Sequence, residues 1–190
     1  MKSLIGSLIA ACLFVAQAAP SAQGATITRD DHYPFYGPGL VQYVAAKGTF
    51  PAVVIANPFG AGRDGALLSA LELPGYLPPT ALSPTSARDR DDGHLVLIFD
   101  PVSSSSGHAA CAAPDQQSVS GGGGGTETLR LQIAFCYDDE VVSEAFMEMP
   151  RPRGPGDPDF NQAMAQLLYV LLPPQNPNRG ACQNQIAGNC

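Results

Sequence analysis

At 190 residues with a formal charge of −7, the chain carries only 10 Lys and Arg, and they are scattered. Phosphate and anionic lipid surfaces are bound by clustered basic side chains, so this composition excludes nucleic acid and an anionic membrane surface as partners. Apolar residues make up 45%, enough for one core, while 20 Gly and 18 Pro gather in a few stretches and mark long connections.

The chain opens with Lys2, an apolar run from Leu4 to Val15 and the small-residue stretch Ala16-Gln17-Ala18-Ala19. That is the plan of a secretory signal peptide occupying residues 1–24, cleaved after Ala18 or after Gly24. The run is too short to span a bilayer, which takes about 20 apolar residues. Ile9-Ala10-Ala11-Cys12 also matches a bacterial lipobox, which would lipidate Cys12 and anchor the protein to the outer membrane. The short apolar run before Cys12, and Leu13-Phe14-Val15 after it, favour simple secretion into the periplasm or beyond. Removal of the leader leaves roughly 165 residues, the size of one domain.

Residues 25–50 read as a turn-rich lead-in around Tyr33-Pro34-Phe35-Tyr36-Gly37-Pro38-Gly39, with Leu40 to Ala45 as a short extra strand. An α+β domain is expected over 51–173. The β-branched run Ala52 to Ala56 suits a buried strand, and Asp64 can N-cap a helix through Leu73. Pro74 to Gly93 is a long connection ending in the charged patch Arg88 to Asp92; Leu95 to Phe99 is the next strand. The Ser- and Gly-rich stretch from Ser103 to Gly125 reads as a loop.

Leu129, Leu131, Ile133, Phe135 and Tyr137 alternate with Arg130, Gln132, Ala134 and Cys136, the period of a strand. Asp138-Asp139-Glu140 then turns the chain into a second strand to Met149, giving a β-hairpin with one buried face. Asp157-Pro158 supplies a helix start, and Phe160, Ala163, Met164, Leu167, Leu168 and Leu171 recur at helical spacing before Pro173. The order β-α-β-β-β-α predicts a four-stranded mixed sheet with two helices on one face. Residues 174–190 form a polar tail.

Cys111, Cys136, Cys182 and Cys190 form an even set beyond the leader. In an oxidising compartment they are expected as disulfides, with three pairings open. Local spacing favours Cys111 with Cys136 and Cys182 with Cys190. A loop of about 25 residues closed in this way stabilises by about 3 kcal/mol in the chain-entropy model. No Cys-x-x-Cys is present, so neither a redox motif nor a metal site is expected.

Gly60-Ala61-Gly62-Arg63-Asp64-Gly65 has the spacing of a dinucleotide-binding turn, where glycines let a pyrophosphate approach the N–H groups of a helix. Asn57-Pro58-Phe59 separates it from the preceding strand, and the next acidic candidate, Asp100, lies too far on. A glycine-rich turn without cofactor is the expectation. Asp89-Arg90-Asp91-Asp92-Gly93-His94 misplaces the glycine for a calcium loop and reads as a solvated charged segment. His32, His94 and His108 are the only histidines, and with no Gly-x-Ser-x-Gly elbow no catalytic residue is assigned.

Asn57-Pro58-Phe59-Gly60, the strand Leu95 to Asp100, Ala134-Phe135-Cys136 and Asp157-Pro158-Asp159-Phe160 give the chain a resemblance to a group of small exported proteobacterial proteins without assigned activity. Its strand and helix order is similar to that of small auxiliary envelope lipoproteins, which implies a scaffolding role without an active site. The expected function is therefore a non-enzymatic periplasmic or envelope domain that binds or scaffolds another envelope protein. The alternatives are a secreted hydrolase with a site dispersed around His32, His94 or His108, and a module that holds a small ligand between sheet and helices.

Overall fold

The computed structural model describes residues 24–86, 93–101, 106–113 and 127–178. The leader with Cys12, the patch Arg88 to Asp92, most of the Ser/Gly stretch and the tail with Cys182 and Cys190 lie outside the described residues.

The elements run β1 (Thr26–His32), α1 (Pro38–Ala45), β2 (Thr49–Ile55), α2 (Asp64–Ser69), β3 (Ala81–Pro84), β4 (Gly93–Phe99), α3 (Gly107–Ala112), β5 (Thr128–Tyr137), β6 (Glu140–Pro150) and α4 (Pro158–Leu171). The strands form one sheet in the order β1-β6-β5-β4-β2-β3. β2 pairs in parallel with both β3 and β4. The other pairs, β4 with β5, β5 with β6 and β6 with β1, are antiparallel. The expected four-stranded sheet with two helices on one face is thus corrected: the described residues form six mixed strands and four helices, and the helices cover both faces.

Both additional strands are edges. An edge strand has one neighbour and little to bury, so its sequence lacks the apolar run by which inner strands are recognised. β1 is Thr-Ile-Thr-Arg-Asp-Asp-His and is exposed along most of its length. Its register on β6 shifts between Ile27 and Arg29. β3 has four residues and ends on Pro84. Charge, irregular register and proline are features that keep a free edge from recruiting another strand.

The segment Leu40 to Ala45, expected as a strand, is helical. Pro38 stands in the first turn after extended Gly37, where its fixed φ favours a helix and its missing N–H costs nothing. Val41, Val44 and Ala45 are buried at i, i+3 and i+4, a helical spacing hidden in a six-residue apolar run. α1 lies close against β4 because position 93 is glycine: a Cβ there would fall within the envelope of Val44 Cγ2 and 3.4 Å from Phe135 Cε2.

Strand alternation sends two sets of side chains to opposite faces. Leu95, Leu97 and Phe99 of β4 and Leu129, Leu131, Ile133 and Phe135 of β5 join α1, α2 and α4 in the main core. On the reverse face Val53, Val96, Ile98, Ala134, Cys136 and Val141 pack with Ala110 and Cys111 of α3. The hairpin therefore buries both faces, not one. A register irregularity between Phe135 and Cys136 leaves Val142 as an extra residue, so that Val142 and its neighbour Ser143 both face the α4 side while Val141 stays on the reverse face.

Candidate functional site

Glu144 is the one acidic residue in the run from Val141 to Phe146 and is almost wholly buried on the reverse face. A buried carboxylate needs its lone pairs satisfied, and here four segments converge on it. Oε1 accepts from the Arg29 guanidinium and from Tyr33 Oη at 3.1 Å. Oε2 accepts from the backbone N–H of Gly107 at 2.7 Å and from Gln132 Nε2 at 3.4 Å. Arg29 is further paired with Asp31 at 2.7 Å.

Burial, followed by the negative charge of Glu144, raises the Tyr33 phenol above its ordinary range and keeps it protonated as a donor. The Tyr33 ring lies edge-on to exposed His108 at 5.1 Å. With all four acceptor directions occupied, the carboxylate ties β1 and α3 to β6 and has no vacant lone pair for a substrate. Sequence reasoning misses it because Arg29, Tyr33 and Gly107 are tertiary partners. The available signal is a charged residue inside an apolar strand.

Cys111 and Cys136 are joined by a disulfide with Cα atoms 5.5 Å apart, tying α3 to β5 next to this cluster. His94 is fully buried and lies opposite Cys136 in the β4–β5 register. Among the described residues no group of His, Cys, Asp and Glu has the arrangement of a metal site.

His32 serves a second polar constellation, at the end of α4. A helix leaves its last four carbonyls without internal donors. Here His32 Nε2 meets the carbonyl of Val170 at 3.0 Å and must donate to it; Ser143 Oγ donates to Leu171 O at 2.8 Å. Tyr76 Oη donates to Leu172 O at 2.8 Å, and Tyr36 Oη to Pro173 O at 2.7 Å. His32 and Ser143 face each other across β1 and β6, yet each directs its proton at a helix carbonyl. That is the opposite of a nucleophile and its base, in which the hydroxyl donates to the imidazole.

The glycine turn is likewise occupied from within. Gly60 and Gly62 take positive φ, as the turn requires. Asn57 Nδ2 donates to Asp64 Oδ1 at 2.8 Å and Asn57 Oδ1 accepts from Phe59 N–H at 3.0 Å. Asp64, in the first turn of α2, directs its carboxylate at Asn57; Arg63 rather than Asp64 precedes the helix, and no side chain caps it.

An open groove of about 590 Å³ runs between the start of α4 and the ends of β1 and β6. Met149 and Ala163 give it an apolar floor; Arg151, Asp159, Gln162 and Gln166 give it a polar rim. Arg151 is fixed by Asp100 Oδ2 at 2.7 Å and by Thr128 O at 3.0 Å. Comparison of the chain with protein-family models, curated proteins and solved structures finds no match. Among the described residues, no helix is long and apolar enough to cross a membrane.

Proposed function

We propose that this is an exported envelope protein that acts by binding, with the groove beside α4 as its recognition surface and another envelope protein as its partner. The groove carries the reading: its volume lies within the roughly 300–1,000 Å³ of ligand sites, while its open form and its mixed polar and apolar lining without aromatics suit contact with another protein better than enclosure of a small molecule. Disulfide Cys111–Cys136 supports an oxidising destination, periplasmic or extracellular. The resemblance to small exported proteobacterial proteins agrees with the leader, and the membrane is reached only if Cys12 is lipidated. The hydrolase alternative loses support because the hydroxyl of Ser143 and the imidazole of His32 are spent on α4.

Photo-crosslinking residues at Gln162 and Gln166, with a control in the hairpin turn at Asp138, test this in the native envelope. A discrete protein adduct from the two groove positions and none from Asp138 is expected. A small bound mass in native mass spectrometry, without a protein adduct, would replace the partner by a small ligand. Silence at the groove by both measurements would remove the reading.

A further inference from the structure

We propose that the Cys111–Cys136 disulfide is a redox latch on α3: oxidised, it holds the helix over the reverse face of the sheet, and reduction by a dithiol lifts α3 while the sheet and its three-helix face stay folded. A helix of six residues does not persist alone in water, so α3 depends on what fastens it. Besides the edge-on contact of exposed His108 with Tyr33, two fastenings stand out among the described residues. Its C-terminal half is bonded to β5 through Cys111, and its first residue donates the Gly107 N–H to Glu144 Oε2 at 2.7 Å. Ser106 Oγ, accepting from Ala109 N–H at 3.2 Å, caps the helix but does not hold it to the sheet.

What lies beneath α3 is small and separate. Val96, Ile98, Ala134 and Val141 meet it through Ala110 and Cys111. The main core, with α1, α2 and α4, is built on the other face and contains no residue of α3. Regions with few buried apolar contacts open at lower free energy than the global transition, so loss of the latch opens this cluster first. The opened form presents an apolar strip with Glu144 at its margin, deprived of the Gly107 N–H.

The chemistry balances with the dithiol as co-reactant. Its thiolate attacks one sulfur of the bond, giving a mixed disulfide and one protein thiolate; its second thiol then displaces the other cysteine and closes a cyclic disulfide. Two electrons pass to Cys111 and Cys136, which take up two protons. Both cysteines are completely buried, so attack waits for a partial opening at the Gly107 end of α3, which the intact bond allows, and the rate of reduction reports that opening. Gly107 offers a way to change that rate. A Cβ at this position would lie 2.7 Å from Glu144 Oε2 and 2.8 Å from Val141 Cγ2, prising the N-terminal end of the helix off the sheet without touching the sulfurs.

The test uses the oxidised full chain with dithiothreitol as probe. Amide exchange read by mass spectrometry should show residues 107–112 losing protection on reduction, while peptides from β4, β5, β6 and α4 keep theirs. Quenched alkylation with peptide mapping should show Cys111 and Cys136 of Gly107→Ala reduced about tenfold faster than in the parent, the scale expected of an overpacked contact. A Cys111→Ser/Cys136→Ser variant should match the reduced exchange pattern. Unchanged protection of 107–112 after complete reduction would overturn the proposal. So would loss of protection throughout the sheet, which would make the bond a staple of the whole fold; reduction of the folded parent decides between these outcomes even if the double variant does not fold.

Discussion

Glu144 shows how one side chain organises four segments. Its oxygens take donors from Arg29, Tyr33, Gly107 and Gln132, so a Glu144→Gln change, conservative in shape, must turn an amide N–H toward donors on one side or the other. The expected loss is about 2–3 kcal/mol, from an unsatisfied buried group with partial relief because Arg29 is half exposed. Tyr33→Phe removes a single donor and should cost about 1 kcal/mol. Urea unfolding separates the two; equal losses would mean that the carboxylate is not the hub. Apart from Glu144 itself, a charge inside an apolar strand, none of this network is visible in the sequence, where the histidines and the glycine turn stand out instead. A hub is defined by partners 12 to 115 positions away, and no local pattern records them.

The end of α4 makes a different demand, since four consecutive carbonyls are closed by side chains from β1, from the turns bearing Tyr36 and Tyr76, and from β6. Burial, and after it the interaction between the two phenols, raises the Tyr36 hydroxyl far above its ordinary range; burial likewise raises Tyr76. A raised folded-state value means that the contribution is complete below the unfolded value of about 10 and fades as pH rises above it, because only the unfolded chain ionises there. Tyr36→Phe/Tyr76→Phe should therefore lose about 1 kcal/mol per hydrogen bond at neutral pH. It should also decline less steeply than the parent between about pH 10 and 11. Parallel decline in urea midpoints would contradict this. α4 itself is legible: Asp157 accepts from the N–H of Asp159 and Pro158 stands in the first turn, as the residues announce. α1 reads wrongly as a strand because its apolar positions fit both periods over six residues, and the proline that decides between them sits outside the run.

The six-stranded sheet has a centre that can be read and flanks that cannot. β4, β5 and β6 carry long apolar patterns, whereas β1 and β3 owe their place to one neighbour each. Helices on both faces are equally hard to foresee, because α3 is too short to show a period and lies within a low-complexity stretch. β1 begins at Thr26, so processing after either Ala18 or Gly24 leaves the sheet whole. Intact mass of the protein from its native host should give an N-terminus at Ala19 or Ala25, with Cys111 and Cys136 two hydrogens short of the dithiol. A mass that retains Met1 would refute processing, and an acylated N-terminal Cys12 would establish the lipid anchor instead.

The carbonyl cluster at residues 170–173 also sets a timetable. A polypeptide leaving a ribosome or a translocon delivers His32, Tyr36 and Tyr76 long before the groups they will grip, and β1 must wait for β6 more than a hundred positions later. Final closure is therefore deferred until α4 has emerged, so the amino-terminal third of the fold is sealed by residues made more than a hundred positions later.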